Sequence, residues 1–505
     1  MTQAPSGPME SGLESGATPL PDVVQDESER ALAARFAPIL MLDEREPFRP
    51  QAVGYRIFRQ SGRSPSFPRD VSLNSNGDPQ AAFAIEYAIW WDWDIEHLYE
   101  LEHVWVYVDG GGRPVRVEAS AHGEWRDMRL GEPGGAVLED THPVLYAEPG
   151  KHAMAAQPGD FERVREAVVR MCERLAGCGG VWVTPLFAGR LSAKTPLADR
   201  LVHTYLEKRR FVPSFAFNRR FPIGSEQLVP WEALEAVIPD RVGWWEKQLA
   251  RMIPADQRRW LRIAHRGASA HAPENSAAAI RLAAQLGADM VEMDVRLSRD
   301  GVPVVIHDPF LDRATTGRGP VAAHTWKELK TLRLRDSRTG EVCDESLLTL
   351  ADALDLCRAE QVGVYADVKE GAAAPAVVTA IQASGLAPYC IVGSARPDDV
   401  RAVRELAPEL PAAWMVGLPP RDVAGLLAQL VEVGGTYLHL CWEGAGPRPD
   451  RYLTRADVDL VHAAGKGIIC WHEERPEVID GLRQLGVDGV CSDRPELLAP
   501  AHAGS

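Results

Sequence analysis

From roughly Arg30 to Val229, apolar residues alternate with polar ones or run together over about 5–8 residues before Gly or Pro interrupts them. AFAIEYAIWW, HVWVYVD and RPVRVEAS read as strands, and Asp109-Gly110-Gly111-Gly112 predicts a hairpin between the last two. A helical period then appears in DFERVREAVVRMCERLAG, with Gly177 as its predicted C-terminal cap. A second helix, VPWEALEAVIPDRVGWWEKQLARMI, leads to PADQRRW and a predicted domain boundary near residue 257.

Beyond that point the rhythm becomes strand, helix, strand, helix. Apolar runs occur at LRIAH, DMVEMDV, VPVVIH, VGVYADV, YCIVGS, AAWMVG, TYLHLC, KGIICW and VDGVCS. Amphipathic segments such as SAAAIRLAAQLG, RDVAGLLAQLVEVG and PEVIDGLRQLG separate most of them. About 245 residues of this alternation is the size of a (β/α)8 TIM barrel, an α/β fold. VPVVIH is the surplus run, since no helix separates it from DMVEMDV. The pattern predicts a β-rich N-terminal domain over 29–257, ending in a linker helix. It predicts the barrel, with a short hairpin insertion, over 258–500.

The length of 505 residues agrees with more than one core. Residues 1–28, rich in Pro, Gly, Ser and acids, read as a disordered tail without the pattern of a secretory signal. No apolar run approaches the ~18 residues that span a bilayer. The formal charge of -16 disfavours a broad nucleic-acid or anionic-membrane surface. The eight cysteines include no C-x-x-C pair and read as free thiols, which favours a cytoplasmic location. The oligomeric state stays open.

In a parallel barrel, chemistry gathers where the strands end. His265-Arg266-Gly267 ends the first run, and Glu292 and Asp294, two apart, share a face near the end of the second. Asp367 and Lys369 end VGVYADVK, and Trp471 ends KGIICW. Asp300-Gly301 signals a hairpin. If Arg299 pairs with Val302, His307 falls opposite Asp294; a one-residue longer turn puts it opposite Met293 or Val295. Three carboxylates suit Mg²⁺ or Ca²⁺. Arg and Lys beside such an ion suit a phosphate, and two histidines can divide acid and base work across a P–O bond. Together they describe metal-assisted phosphodiester cleavage.

HRGASAHAPENS, GADMVEMDVRLSRDGVPVVIHDPFLDRATTGRG, YADVK and GVDGVCSDRP resemble the glycerophosphodiester phosphodiesterase family over about residues 260–498. The resemblance implies hydrolysis of small-molecule glycerophosphodiesters to an alcohol and glycerol phosphate, with His265 and His307 as acid/base pair and Arg266 on the phosphate. It implies Glu292, Asp294 and Asp367 as ligands of one divalent cation, Mg²⁺ or Ca²⁺ with Mn²⁺ as a further candidate. Lys369 would sit near the phosphate oxygens, Glu274 would line the site and support its network, and Trp471 would wall the alcohol moiety. Asn275 or Ser276 would start the following helix. Whether a glycerol hydroxyl or water attacks phosphorus, and which histidine is the base, stays open.

Two departures from the family pattern carry consequences. Asp367 stands where Glu is usual, one methylene shorter. His472-Glu473-Glu474 follows Trp471 where small or amide residues are usual; extra negative charge there would favour a cationic or neutral alcohol, against the plainer reading of solvated loop residues. The first half faintly resembles β-sandwich proteins of the vacuolar-protein-sorting and necrosis-inducing types over residues 35–155. Asp92, Asp94, Glu96, His97, Glu102, His103, His122 and His152 form a candidate metal cluster there, against the plainer reading of strand-facing and surface groups. Trp90, Trp91 and Trp93 read as core. Two alternatives remain: a lysophospholipase D-type activity brought to lipid by peripheral contact of the first half, and a barrel that binds phosphodiesters without cleaving them.

Overall fold

The computed structural model describes residues 26–74, 81–191, 194–417, 421–442 and 452–499. The tail expected over residues 1–28 lies outside the described residues up to residue 25. A helix, Glu27–Phe36, capped by the Asp26 carboxylate, already occupies the end of that segment. The chain divides into two compact units, Met1–Lys194 with Leu201–Ile253, and Thr195–Arg200 with Pro254–Ser505. No helix among the described residues is long and apolar enough to cross a membrane.

The first unit is β-rich. β1 (Ala52–Phe58), β2 (Phe83–Trp93), β3 (His97–Val108) and β4 (Pro114–Ala121) lie side by side, antiparallel, in a seven-stranded sheet. Asp109 closes the β3–β4 hairpin by accepting from the backbone N–H groups of Gly111 and Arg113. A five-stranded sheet is separate from it. Trp90, Trp91 and Trp93 are buried. The helix expected to run on to Gly177 stops at Glu173, after a 3₁₀ segment over Pro158–Val164. Gly177 does not cap it. Its backbone N–H reaches Ile95 O at 2.8 Å, and any Cβ there would lie 2.6 Å from His203 Cα. The glycine therefore permits a close crossing of two chain segments.

The second unit is a closed barrel. β5 (Leu261–Ala264), β6 (Met290–Leu297), β8 (Gly363–Val368), β9 (Cys390–Ser394), β10 (Ala412–Val416), β11 (Tyr437–Cys441), β12 (Gly467–Trp471) and β13 (Gly489–Ser492) are parallel, and β5 pairs with both β6 and β13. The surplus run is β7 (Pro303–Val305), antiparallel to β6. Val295 pairs with Val305, so the turn takes the longer of the registers, and His307 falls across from Met293 by extension.

One residue from each parallel strand builds the barrel floor: Ile263, Met290, Tyr365, Ile391, Ala413, Tyr437, Ile469 and Cys491. The alternate positions, such as Val291, Val364, Leu438 and Ile468, pack outward in the larger core that takes in the helices. Because strand side chains repeat every two residues, the next inward positions are fixed by counting two onward. The inward positions two onward are His265, Glu292, Asp367, Gly393, Met415, His439, Trp471 and Asp493, with alternate strands supplying successive levels.

The opposite end of the barrel is closed by a buried ion pair. Asp488, fully buried just before β13, accepts from Arg200 (2.5 Å), from the backbone of Ile468 (2.7 Å) and pairs with His462 (2.9 Å). Burial opposes ionisation, but Arg200 and His462 hold its carboxyl down to about 2. Its contribution is therefore complete above the ordinary value of 3.8 and is lost as pH falls through about 2. Asp488→Asn removes the buried negative charge that Arg200 and His462 face and is expected to lower unfolding stability at pH 7 by about 3 kcal/mol in urea titrations. An unchanged unfolding midpoint would contradict this.

Candidate active site

The loop after β5 is shaped to bring charges together. Arg266 adopts a left-handed backbone (φ 53°), and its N–H donates to Glu292 Oε2 at 2.9 Å. Gly267 follows at φ 83°, where a Cβ would lie 2.6 Å from Ala279 Cβ, so only glycine lets this loop approach its helix. Ser276 caps that helix, accepting from Ala279 N. Asn275 does something else: its amide donates to Asp294 Oδ2 (2.8 Å) and accepts from Asp294 N (3.2 Å), which fixes that carboxylate.

Glu292, Asp294 and Asp367 are buried with ligand oxygens within 4.8 Å of one another. The shorter Asp367 side chain therefore still reaches the group. Lys369 Nζ donates to Asp294 Oδ1 at 2.8 Å and also to Asp367, while Arg266 Nε lies 3.2 Å from Asp294 Oδ2. Burial, reinforced by the charges of Asp294 and Asp367, pushes the Glu292 carboxyl well above its usual range. Asp294 goes the other way: burial would raise it, but Lys369, Arg266 and His307 hold it low. Asp367 is raised, chiefly by burial, against the pull of Lys369. Three carboxylates facing two cationic side chains leave room for more positive charge. The donor set, oxygen only, fits a hard divalent cation.

His265 and His307 border the same cavity, whose walls also include Arg266, Glu292, Asp294, Asp367, Lys369, His439 and Trp471. His265 and His307 are each held at Nδ1 by a carboxylate, His265 by Asp493 Oδ1 and His307 by Asp308 Oδ1, both at 2.7 Å. His265 Nε2 lies 4.0 Å from Glu292 Oε2. Arg313 spans Asp308 (2.5 Å) and Glu274 (2.6 Å), and Glu274 also accepts from Arg266 at 3.3 Å. Glu274 thus stands behind Arg266, supporting the network without forming the cavity wall.

The loop after Trp471 differs from the expectation of spare negative charge. Glu473 is buried and bound by Arg475 Nε (2.7 Å) and by the N–H groups of Glu474 and Arg475. Glu474 engages His472 Nδ1 at 3.0 Å and accepts from the backbone of Asp493 at 2.9 Å. Glu473 is engaged within the loop, and Glu474 by His472 and the chain at the end of β13, so neither is a spare charge. His472 instead stacks on His265, with ring centroids 5.0 Å apart. Sequence reasoning passed over Asp308, Arg313 and His439; the signal for Asp308 was adjacency to His307 and for His439 a polar residue amid an apolar strand, while Arg313 had none.

The eight first-unit candidates do not converge on one point. Asp92 is bound by Arg241 at 2.6 and 2.9 Å, and Lys151 Nζ lies between Asp94 (2.8 Å) and Glu96 (3.0 Å). Glu102 accepts from Ser120, His103 bonds Ser66, His122 bonds Glu148, and His152 lies 3.4 Å from Glu46. Of the expected set only Asp94 and His97, with Glu100, have ligand atoms within 4.8 Å of one another.

Residues 265–497 match the model of the glycerophosphoryl diester phosphodiesterase family. A glycerophosphodiester phosphodiesterase of Caldanaerobacter subterraneus subsp. tengcongensis is 31% identical over 246 residues, 47% of this chain and 96% of that protein. A probable glycerophosphodiester phosphodiesterase 1 of Mycobacterium tuberculosis is 33% identical over 252 residues, 46% of this chain and 89% of that protein. A solved phosphodiesterase of Oleispira antarctica, in complex with the product sn-glycerol-3-phosphate, is 27% identical with a TM-score of 0.41, covering 47% of this chain and 94% of that one. The chain belongs to the glycerophosphoryl diester phosphodiesterase family and is a phosphoric diester hydrolase.

The carboxylate trio generates a prediction readable without turnover. Mg²⁺, Ca²⁺ or Mn²⁺ added to chelator-treated protein is expected to raise its thermal midpoint, and Asp294→Asn is expected to remove most of that rise. Equal rises in both proteins would place the binding elsewhere.

Proposed function

We propose that this protein is a divalent-metal-dependent glycerophosphodiester phosphodiesterase, releasing an alcohol and glycerol phosphate by histidine acid/base catalysis. The observation that carries the reading is the pair of imidazoles, each backed at Nδ1 by a carboxylate, bordering one cavity with three buried carboxylates. The names of the relatives supply the substrate class.

Glu292, Asp294 and Asp367 would hold the cation, which when bound supplies Lewis-acid stabilisation to the phosphoryl oxygens. Arg266 presents a guanidinium fork and Lys369 a point charge to the same oxygens. Asp493 and Asp308 fix the ring orientation and tautomer of His265 and His307, so that each Nε2 is available for proton transfer. One imidazole takes the proton of the attacking oxygen as its bond to phosphorus forms. The other gives a proton to the alcohol oxygen as the P–O bond breaks, so no alkoxide is released. Trp471 walls the organic part of the substrate.

His265→Ala and His307→Ala are each expected to lower kcat on glycerophosphocholine by about 10²–10⁴-fold. The thermal midpoint should stay close to that of the wild type. Either variant turning over at the wild-type rate would remove that histidine from the chemistry.

A further inference from the structure

His439 interrupts an apolar strand, and its position in the barrel gives that polar residue an inward face. It lies at the inward position two beyond the floor residue Tyr437, and its register partner on β10 is Met415. Only 1% of it is exposed. Its Nδ1 lies 2.7 Å from the Tyr365 hydroxyl, and its Nε2 is a buried polar atom with no hydrogen-bond partner. The ring nevertheless forms part of the cavity wall, beside Trp471 at 6.1 Å between centroids, edge to face.

The tautomer follows from hydrogen-bond accounting. Tyr365 is fully buried, and its hydroxyl hydrogen needs an acceptor. Nδ1 is that acceptor when the imidazole is neutral, and burial, with the nearby charges of His265 and Lys369, holds His439 neutral by pushing it down to about 3. The ring hydrogen then sits on Nε2, a donor without a protein acceptor. Tyr365 can stand where it does because Gly393, on the neighbouring strand, has no side chain: a Cβ there would fall within 2.6 Å of the Tyr365 ring. Gly393, Tyr365 and His439 thus form a short chain of support that ends in one unanswered N–H.

The neighbours of that N–H indicate what it meets. Arg266, Lys369 and the carboxylates lie on or beside β5, β6 and β8, whereas His439 is on β11 between the strands that carry Met415 and Trp471. The Nε2–H is an uncharged donor that lines the cavity with Met415 and Trp471, and it suits an uncharged oxygen, whereas Arg266 and Lys369 supply the charges that suit phosphoryl oxygens. We infer that His439 is a substrate-binding residue whose Nε2–H donates to a hydroxyl oxygen of the glycerol moiety, with Tyr365 as its positioning residue. This rests on the function proposed above and names the group within that substrate that the barrel reads.

The test compares two ligands of the Mg²⁺-loaded full-length protein by calorimetry: glycerol 3-phosphate and propyl phosphate, which keeps the carbon chain and lacks the hydroxyls. The wild type is expected to prefer glycerol 3-phosphate by about tenfold or more. His439→Phe should bring the preference close to one while binding propyl phosphate within about twofold of the wild type, and Tyr365→Phe should reduce the preference in part. A preference retained in His439→Phe overturns the inference, as does a wild type that shows none. If His439→Phe fails to fold, Tyr365→Phe decides: an unchanged preference overturns it. A wild type that binds neither ligand and hydrolyses no glycerophosphodiester overturns the proposed function itself.

Discussion

Three acidic side chains buried within 4.8 Å of one another repel, and the barrel mouth is organised around that repulsion. Desolvation disfavours each charge, and each charge disfavours the next. The consequence is visible in the divergence of the trio: Glu292 is driven toward its neutral form while Asp294, touching Lys369 and Arg266, remains the anion. Ionising the whole trio would leave one negative charge beyond those of Lys369 and Arg266, which a bound cation would offset. The strained Arg266 backbone, the obligatory Gly267 and the clamp of Asn275 on Asp294 all serve to keep this arrangement in place.

A second constraint is the two-residue repeat of the strands. The floor is eight mostly apolar side chains, and the inward positions beyond it carry the polar groups of the cavity. The same counting that turns His265, Glu292 and Asp367 inward also turns Gly393, His439 and Trp471 inward. The imidazoles that line the cavity are each tied down by a partner, His265 by Asp493, His307 by Asp308 and His439 by Tyr365. Such backing holds donors and acceptors ready before a substrate arrives.

Much of the barrel was legible because its signals are local. Strand–helix alternation, the E-x-D spacing and the surplus VPVVIH run each follow from short-range periodicity. The hairpin register could be narrowed but not fixed, since turn length depends on the Ser298 hydroxyl accepting from Val302 N. The partners of the catalytic layer were harder to see. Arg313 reaches Glu274 across 39 positions and Asp493 reaches His265 across 228, distances over which periodicity carries no information. The acids after Trp471 were misjudged for the same reason: Arg475 and the backbone turn that absorb Glu473 are visible only in three dimensions. In the first unit, alternating strands were readable, but the dispersal of its acids and histidines among Arg241, Lys151, Ser66 and Ser120 was not.

The dependence of chemistry on a cation held by the carboxylate trio is the claim on which the account turns. It is tested most directly by following glycerophosphocholine with ³¹P NMR, using protein freed of metal by chelation and then titrated with Mg²⁺, Ca²⁺ or Mn²⁺. The account predicts that the glycerol phosphate resonance stays absent in chelator and grows once a divalent ion is returned. Hydrolysis in chelator at the rate seen with metal would contradict it.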